Sequence, residues 1–383
     1  MDVNELKRTW AIVAATPDET PMFFYSHLFL THPEVRGMFP VSMAGQRDKL
    51  FAALGRIVSN VDKLEEVTGF IQQLGRDHRR FEVVPEHYNA VGASLLYTLQ
   101  HFLGDEWTED VAMSWSSAYG LIAQVMIEAA EDAAEDSPSW WDGEVISVDR
   151  RSIDVSVIKV KTSPALDYVP GQSVSVELGG MPRTWRYLTP ANAPRADGVL
   201  EFHVQQVPGG RFSSHAVRKL RAGDTLKLGA PLGEEFILPD GANELLLVSG
   251  GTGLAPMKAI LQQVSAEWQQ NGTGRKATMF HGARHPWNLY DHQFFRDLAA
   301  EPWFDYAPVV SDDISFPGLK GLVGDVAAQA RDWTGVHAFV CGSSKMIEHT
   351  VGKLQASGIA PEAIHFEDFA MDPAAAGHGT QEA

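Results

Sequence analysis

"LLLVSGGTGLAPMKAI", residues 245–260, is an apolar run that breaks into Gly250, Gly251 and Gly253 and resumes as a helical pattern opening at Ala255 and Pro256. A strand, a glycine turn and a helix start in that order place backbone N–H groups where a pyrophosphate can sit, since a helix N-terminus is a ready anion site. Such a turn also ends ordinary strands, so the downstream elements decide between the two. They are strand "ATMFHG", a helix near 292–299, strand "YAPVVS", a helix, strand "HAFVCGS", a helix and strand "AIHFEDF". Strands alternating with helices predict a parallel, doubly wound sheet, in which ligands gather at the C-terminal strand ends. The turn "VCGSSKM", with Cys341, Gly342 and Ser343, closes a later strand of that sheet, so both turns are expected to line one crevice. Thr252 and Pro256 belong to the first turn.

Ahead of this segment the period changes from helical to alternating. In "EVISVDRRSIDVSVIKVKT" (144–162) Ile153, Val155 and Val157 alternate with Asp154 and Ser156, and "GQSVSVEL" (171–178) does the same, which predicts antiparallel strands with one wet face and a small β-barrel. Within it, "RTWRYLTPANAP" (183–194) and "VQQVPGGRFSSH" (204–215) combine cationic or glycine-rich elements with hydroxyls. Arg186 can clamp a phosphate bidentately, Thr189 can meet a ring edge, and Gly209, Gly210 and Ser213 can cradle a second phosphate. Each segment alone reads equally as a hairpin turn. Together, ahead of the glycine turn, they point to a flavin.

The first third, to about residue 135, is helical throughout. Thr16, Pro17 and Glu19 predict a capping box, and Pro85 predicts a helix start. In "GRDHRRFEVVPEHYNAVG" (75–92), counting back from His78 gives Leu74, Ile71, Phe70 and Val67, an apolar stripe that turns His78 inward while Arg76, Asp77, Arg79 and Arg80 turn outward. A buried imidazole needs a partner, either a metal or a hydrogen bond. Tyr88, on the next helix, is placed to hydrogen-bond the far ring nitrogen and fix the tautomer. Tyr25 and Gln46 are polar residues on apolar faces, able to form a polar lid or to lie exposed.

The 383 residues imply two or three cores, and the stretch "EDAAEDSPSWWDGEV" (131–145) marks a boundary near 138. The expected domains are 1–138, 139–240 and 241–371, with 372–383 as a tail. A formal net charge of −18 argues against nucleic-acid binding. No apolar run approaches a membrane span, and a soluble cytoplasmic protein is expected. The single cysteine, Cys341, excludes an internal disulfide and a thiolate-held iron–sulfur cluster.

Taken with "PMFFYSHLF" (21–29), "MFPVSMAGQRDKLF" (38–51) and "SWSSAYGLIAQV" (114–125), these segments resemble the flavohaemoglobins over nearly the whole chain. The resemblance implies an all-α globin domain, an antiparallel β-barrel for FAD and an α/β doubly wound domain for NADH or NADPH. It places the haem b iron on His78, the distal pair on Tyr25 and Gln46, haem packing on Phe39 and Leu50, and the proximal tyrosine on Tyr88. It places FAD on Arg186, Tyr187, Leu188, Thr189, Gly209, Gly210 and Ser213, and NAD(P)H on Gly250, Gly251, Thr252, Gly253, Pro256, Cys341 and Gly342. Phe369 matches the aromatic residue that approaches the flavin. The implied activity is nitric oxide dioxygenation with O2 and NO as small-molecule substrates. The alternatives are an oxygen- or NO-binding or sensing globin with its own reductase, and oxidation of another organic substrate.

Two departures stand out. "RYLT" puts Leu188 where the family has a tyrosine, and alternation along a strand turns Tyr187 to the opposite face. The family's proximal glutamate falls on Ala130, with Glu131 and Glu128 one and two residues away, each step rotating a side chain by about 100°. Arg284, in "HGARHPWNLYD" (281–291), reads either as a ribose-phosphate contact or as a surface arginine.

Overall fold

The computed structural model describes residues 1–366, so Phe369 and the tail from 372 lie outside the described residues. Contacts divide the described residues into two compact units, one built on Met1–Trp140 and one on Trp141–Met181 and 185–366.

The first unit is helical: α1 (Val3–Val13), α2 (Glu19–Thr31), α3 (Ala44–Ser59), α4 (Leu64–His78), α5 (Pro85–Leu103) and α6 (Glu109–Asp136). Local chemistry sets several of the starts. The Asp2 carboxylate accepts from the N–H groups of Asn4 and Glu5, Pro85 occupies the first turn of α5, and the Thr108 hydroxyl accepts from the N–H of Val111. The expected capping box at Thr16 does not form. α2 begins at Glu19, and the Thr16 hydroxyl turns back to the Val13 carbonyl and to Thr20, so a tight turn uses the group that would have capped the helix. Two separate apolar clusters fill this unit. The larger contains Trp10, Phe24, Tyr25, Leu28, Leu95, Leu99 and Trp115; the smaller contains Ile57, Val67, Ile71 and Met126. α4 crosses α6 at Gly75, where an added Cβ would lie 2.2 Å from the Met126 carbonyl oxygen. Only glycine lets the two backbones approach that closely.

The second unit begins with β1 (Trp141–Arg150), β2 (Val155–Thr162), β3 (Ser173–Leu178), β4 (Trp185–Leu188), β5 (Val199–Gln205), α7 (Arg211–Arg218) and β6 (Thr225–Leu232). The strands form one antiparallel sheet in the order β4-β3-β6-β1-β2-β5, curled around Val145, Ile158, Val160, Val174, Val176, Leu200, Phe202 and Leu228. The expected alternation fails at two points. Ile153 lies in the β1–β2 turn and is 88 % exposed, and Val155 through Ile158 are buried consecutively, because both faces of β2 are covered.

β7 (Glu244–Gly250), α8 (Leu254–Asn271), β8 (Lys276–Ala283), α9 (His292–Leu298), β9 (Phe304–Val310), β10 (Leu319–Lys320), α10 (Val323–Gln329), β11 (His337–Cys341), α11 (Ser344–Ala356) and β12 (Ile364–Phe366) complete the unit. The sheet order is β10-β9-β8-β7-β11-β12, all parallel. Chain order reverses between β7 and β11, and that switch point is where a doubly wound sheet opens a crevice.

Candidate functional site

In the helical unit α4 ends on His78, whose stripe-mates Val67 and Ile71 are buried. The Nδ1 of His78 lies 2.6 Å from the Leu74 carbonyl oxygen. A carbonyl only accepts, so Nδ1 carries the proton and Nε2 keeps its lone pair. Burial lowers the His78 pKa and outweighs the Leu74 bond, which acts to raise it, so the ring is neutral and able to bind a metal. This differs from the sequence expectation: the carbonyl one helical turn back, not the Tyr88 phenol, holds the far nitrogen. Tyr88 instead packs beside Leu74 against the smaller cluster, its hydroxyl pushed up to about 12 by burial, while the Tyr119 hydroxyl donates to its backbone carbonyl. Arg80 also departs from expectation. It is 7 % exposed, pairs with Asp77 at 3.5 Å and stacks on Phe81, because the turn after α4 tucks it inward.

Tyr25 and Gln46 are brought together. The Tyr25 hydroxyl donates to the Gln46 backbone carbonyl at 3.4 Å, and burial raises the phenol well above its usual range, so it stays protonated and remains a donor. The Phe39 ring meets the Tyr25 ring edge to face at 5.5 Å, and Leu50 packs half-buried on the same cluster. The donor set and lining fit haem: one neutral imidazole with a free lone pair, a protonated phenol, and half-buried apolar side chains around both clusters. Glu128 and Glu131 are exposed and line, with Tyr88, Tyr119 and Ile127, a surface groove of about 490 Å³; Glu128 accepts from Gln124 at 2.8 Å.

In the curled sheet, antiparallel register sets Leu188 opposite the buried Val174, and Leu188 leans on the interior cluster. Tyr187 stands opposite Ser175 on the other face, as alternation requires. The Thr189 hydroxyl meets that of Ser173 at 3.2 Å. The Arg186 guanidinium donates to the Trp185 carbonyl, and Arg186 through Thr189 are all half-buried. Gly209 has φ +79°, and Gly210 opens α7. The Ser213 hydroxyl accepts from the N–H of Val207 and donates to the Gly210 carbonyl, which ties the loop to the helix N-terminus.

At the crevice, Ser249 and Cys341 are register partners on β7 and β11, so the two turns lie side by side. A Cβ on Gly253 would sit 2.3 Å from the Cys341 carbonyl oxygen, and one on Gly342 would meet Met346. Thr252 follows Gly251 in the turn, and Pro256 is buried in the first turn of α8. The cradle thus has the close backbone approach that a dinucleotide phosphate needs. Arg284 is exposed and pairs with Asp312 at 3.0 Å.

One group falls outside the expectations drawn from the sequence. Lys258 is 7 % exposed on α8, and its Nζ donates to Glu201 Oε1 at 2.7 Å and to Asp291 Oδ2 at 2.9 Å. His203 Nε2 also reaches Glu201 Oε1, at 2.9 Å. Burial would raise the Glu201 carboxyl, but the bonds from His203 and Lys258 prevail and hold it down at about 2. The one available signal is a lysine inside the otherwise apolar "LAPMKAIL".

Comparison with known proteins agrees with this architecture. The family described as globin matches residues 22–126, the oxidoreductase FAD-binding domain 142–236, and the oxidoreductase NAD-binding domain 247–352. A flavohemoprotein of Vibrio cholerae is 24 % identical, with 96 % of each chain covered. The reductase component DmpP of phenol 2-monooxygenase from Pseudomonas sp. strain CF600 is 30 % identical over 68 % of this chain and 76 % of its own. The crystal structure of a flavohemoglobin from Malassezia yamatoensis with bound FAD and heme has a TM-score of 0.72 at 18 % identity, covering 94 % of this chain and 98 % of that one. The class is therefore an oxidoreductase in which a globin is joined to an FAD- and NAD-binding reductase, with haem, FAD and a nicotinamide dinucleotide as cofactors. More narrowly, the chain is similar over nearly its whole length to the flavohemoproteins, whose globin, FAD-binding and NAD-binding modules it shares. No helix among the described residues is long and apolar enough to cross a membrane.

Proposed function

We propose that the protein is a cytoplasmic NAD(P)H-dependent nitric oxide dioxygenase made of a globin domain (1–138), a flavin domain (139–240) and a nucleotide domain (241–371). FAD, when bound, would convert the electron pair of NAD(P)H into single electrons, and haem would supply a one-electron acceptor and the oxygen chemistry that oxidises NO to nitrate. His78 Nε2 would hold the iron, with the Leu74 carbonyl fixing the ring. The protonated Tyr25 phenol, released from the Gln46 carbonyl, would donate to negative charge developing on the oxygen substrate, with the half-buried Phe39 and Leu50 as apolar neighbours. Arg186, Tyr187, Leu188, Thr189 and the Gly209–Ser213 segment would hold FAD. Gly250 to Gly253, Pro256, Cys341 and Gly342 would cradle the nucleotide phosphates and ring.

The observation that carries this reading is the buried, protonated Tyr25 set against Gln46 in the unit that also bears the neutral His78. The test is NO consumption in air-equilibrated buffer with NADH or NADPH. Many turnovers per haem, with stoichiometric nitrate, are expected. Consumption that stops at one equivalent would favour a binding or sensing globin. Flavin reduced by hydroxy acids without nucleotide would favour another organic substrate.

A further inference from the structure

Besides the cofactor sites, the second unit holds a buried ionic cluster that joins its flavin half to its nucleotide half. Glu201, on β5 of the antiparallel sheet, is gripped by Lys258, on the helix after the glycine turn. Asp291, after β8 of the parallel sheet, is gripped in turn by Lys258 and by Arg151, which comes directly after β1, at 3.4 Å. Each half therefore supplies a carboxylate held by a cation from the other. Asp291 has φ +56°, which an L side chain rarely adopts, and its carboxylate is 3 % exposed. Backbone strain of this sort persists only where the surroundings over-determine it.

The protons in the cluster are accounted for. His203 donates through Nε2 to Glu201, which leaves Nδ1 to accept from the Tyr290 hydroxyl at 3.1 Å. Glu201, His203 and Asp291 have ligand atoms within 4.8 Å of one another, a spacing that suits a metal, but the Lys258 ammonium already bridges the two carboxylates. Lys258, Arg151 and, at 3.8 Å from Glu201, Lys159 balance Glu201, Asp291 and Asp149, the last paired with Arg151 at 3.2 Å. Folding alone gives little reason for such a group, because apolar residues of similar volume are often as stabilising as a buried ion pair. What ions add is direction: a cation bound to two fixed carboxylates holds both halves at one angle.

We propose that Lys258 is a positioning residue for hydride transfer, fixing the nucleotide half against the flavin half. This rests on the proposed cofactor placement, with FAD on Arg186–Thr189 and the nucleotide on Gly250–Gly253. In the step served, the C–H bond of the reduced nicotinamide breaks, its hydrogen and both electrons pass to the flavin, and the nicotinamide is left oxidised. Donor and acceptor atoms must approach to about 3–3.5 Å, and a displacement of about 1 Å can cost on the order of 100-fold in rate.

The test uses full-length protein loaded with haem and FAD, comparing the parent with Lys258→Met/Glu201→Gln and, separately, Arg151→Gln. The double variant removes one charge of each sign, leaves the Arg151–Asp291 pair and keeps an acceptor for His203. It is expected to unfold within roughly 5 °C of the parent, to retain FAD, and to bind NAD⁺ with unchanged affinity by calorimetry. Anaerobic flavin bleaching at saturating NADH should slow about tenfold or more, and amide exchange across 199–205 and 254–262 should quicken. Arg151→Gln, at an exposed side chain, should slow bleaching several-fold in the same way and decides the matter if the double variant fails to fold. Unchanged bleaching and exchange in the folded variants would overturn the proposal. A parent that neither binds NAD⁺ nor bleaches with NADH would instead overturn the cofactor placement beneath it.

Discussion

In the proposed reaction the helical unit's chemistry would turn on Tyr25 and His78, and each yields a measurable expectation. His78→Ala should lose most of its haem on purification and show no imidazole-ligated spectrum, read from the ratio of haem to protein absorbance. Tyr25→Phe removes a donor whose bond to a charged acceptor is worth about 1.5–3 kcal/mol, so oxygen should leave about 10- to 100-fold faster in stopped-flow measurements. The sequence shows which way His78 faces, because Val67 and Ile71 repeat on its stripe and both are buried. It does not show what holds the ring. The partner is the Leu74 backbone carbonyl, and a main-chain atom leaves no mark on residue type. Arg80 departs from its expected outward face for a related reason: charge says that a side chain needs a partner, not that it points outward.

At the level of helices and strands, α4 offers an internal comparison. Gly75 sits against the Met126 carbonyl, whereas a Cβ on Gly69, on the same helix, would meet nothing within 4 Å. Gly75→Ala should destabilise by about 1–3 kcal/mol through overpacking, and Gly69→Ala should stabilise by about 0.4–1 kcal/mol by restricting the unfolded chain. Urea unfolding of the full chain followed by haem release reads both, and a Gly75→Ala variant as stable as the parent would contradict the close crossing. The alternating strands of the flavin half are legible in the sequence, and so is the parallel sheet. The exceptions have two causes. Periodicity reports one covered face, and it fails at Val155 through Ile158, where β2 is covered on both, and at Ile153, which the β1–β2 turn carries into solvent.

For the whole molecule, buried titratable groups set the acid limb of stability. Burial, with His292 adding to it, lowers His281 to about 3, against 6.5 when exposed. Between those values the unfolded chain binds a proton that the folded chain refuses, so stability falls as pH drops from about 6.5 towards 3. Glu201, held at about 2 against 4.5, adds a second loss between those two values as it is protonated. Thermal melts across this range should show both phases, and His281→Phe should shrink the upper one, to which His78, His203, His292 and His365, also lowered by burial, contribute. The order of modules is legible because the composition changes near 138 and the period changes with it. The Arg151–Glu201–His203–Lys258–Asp291 cluster is not, since its members are dispersed along the chain and meet only through the fold. Cys341 carries the chain's single thiol, and it is shielded, with its own carbonyl pressed against Gly253. A maleimide can reach that sulfur only when the two turns part, so the labelling rate becomes a clock for the breathing of the nucleotide crevice, and bound dinucleotide should stop it.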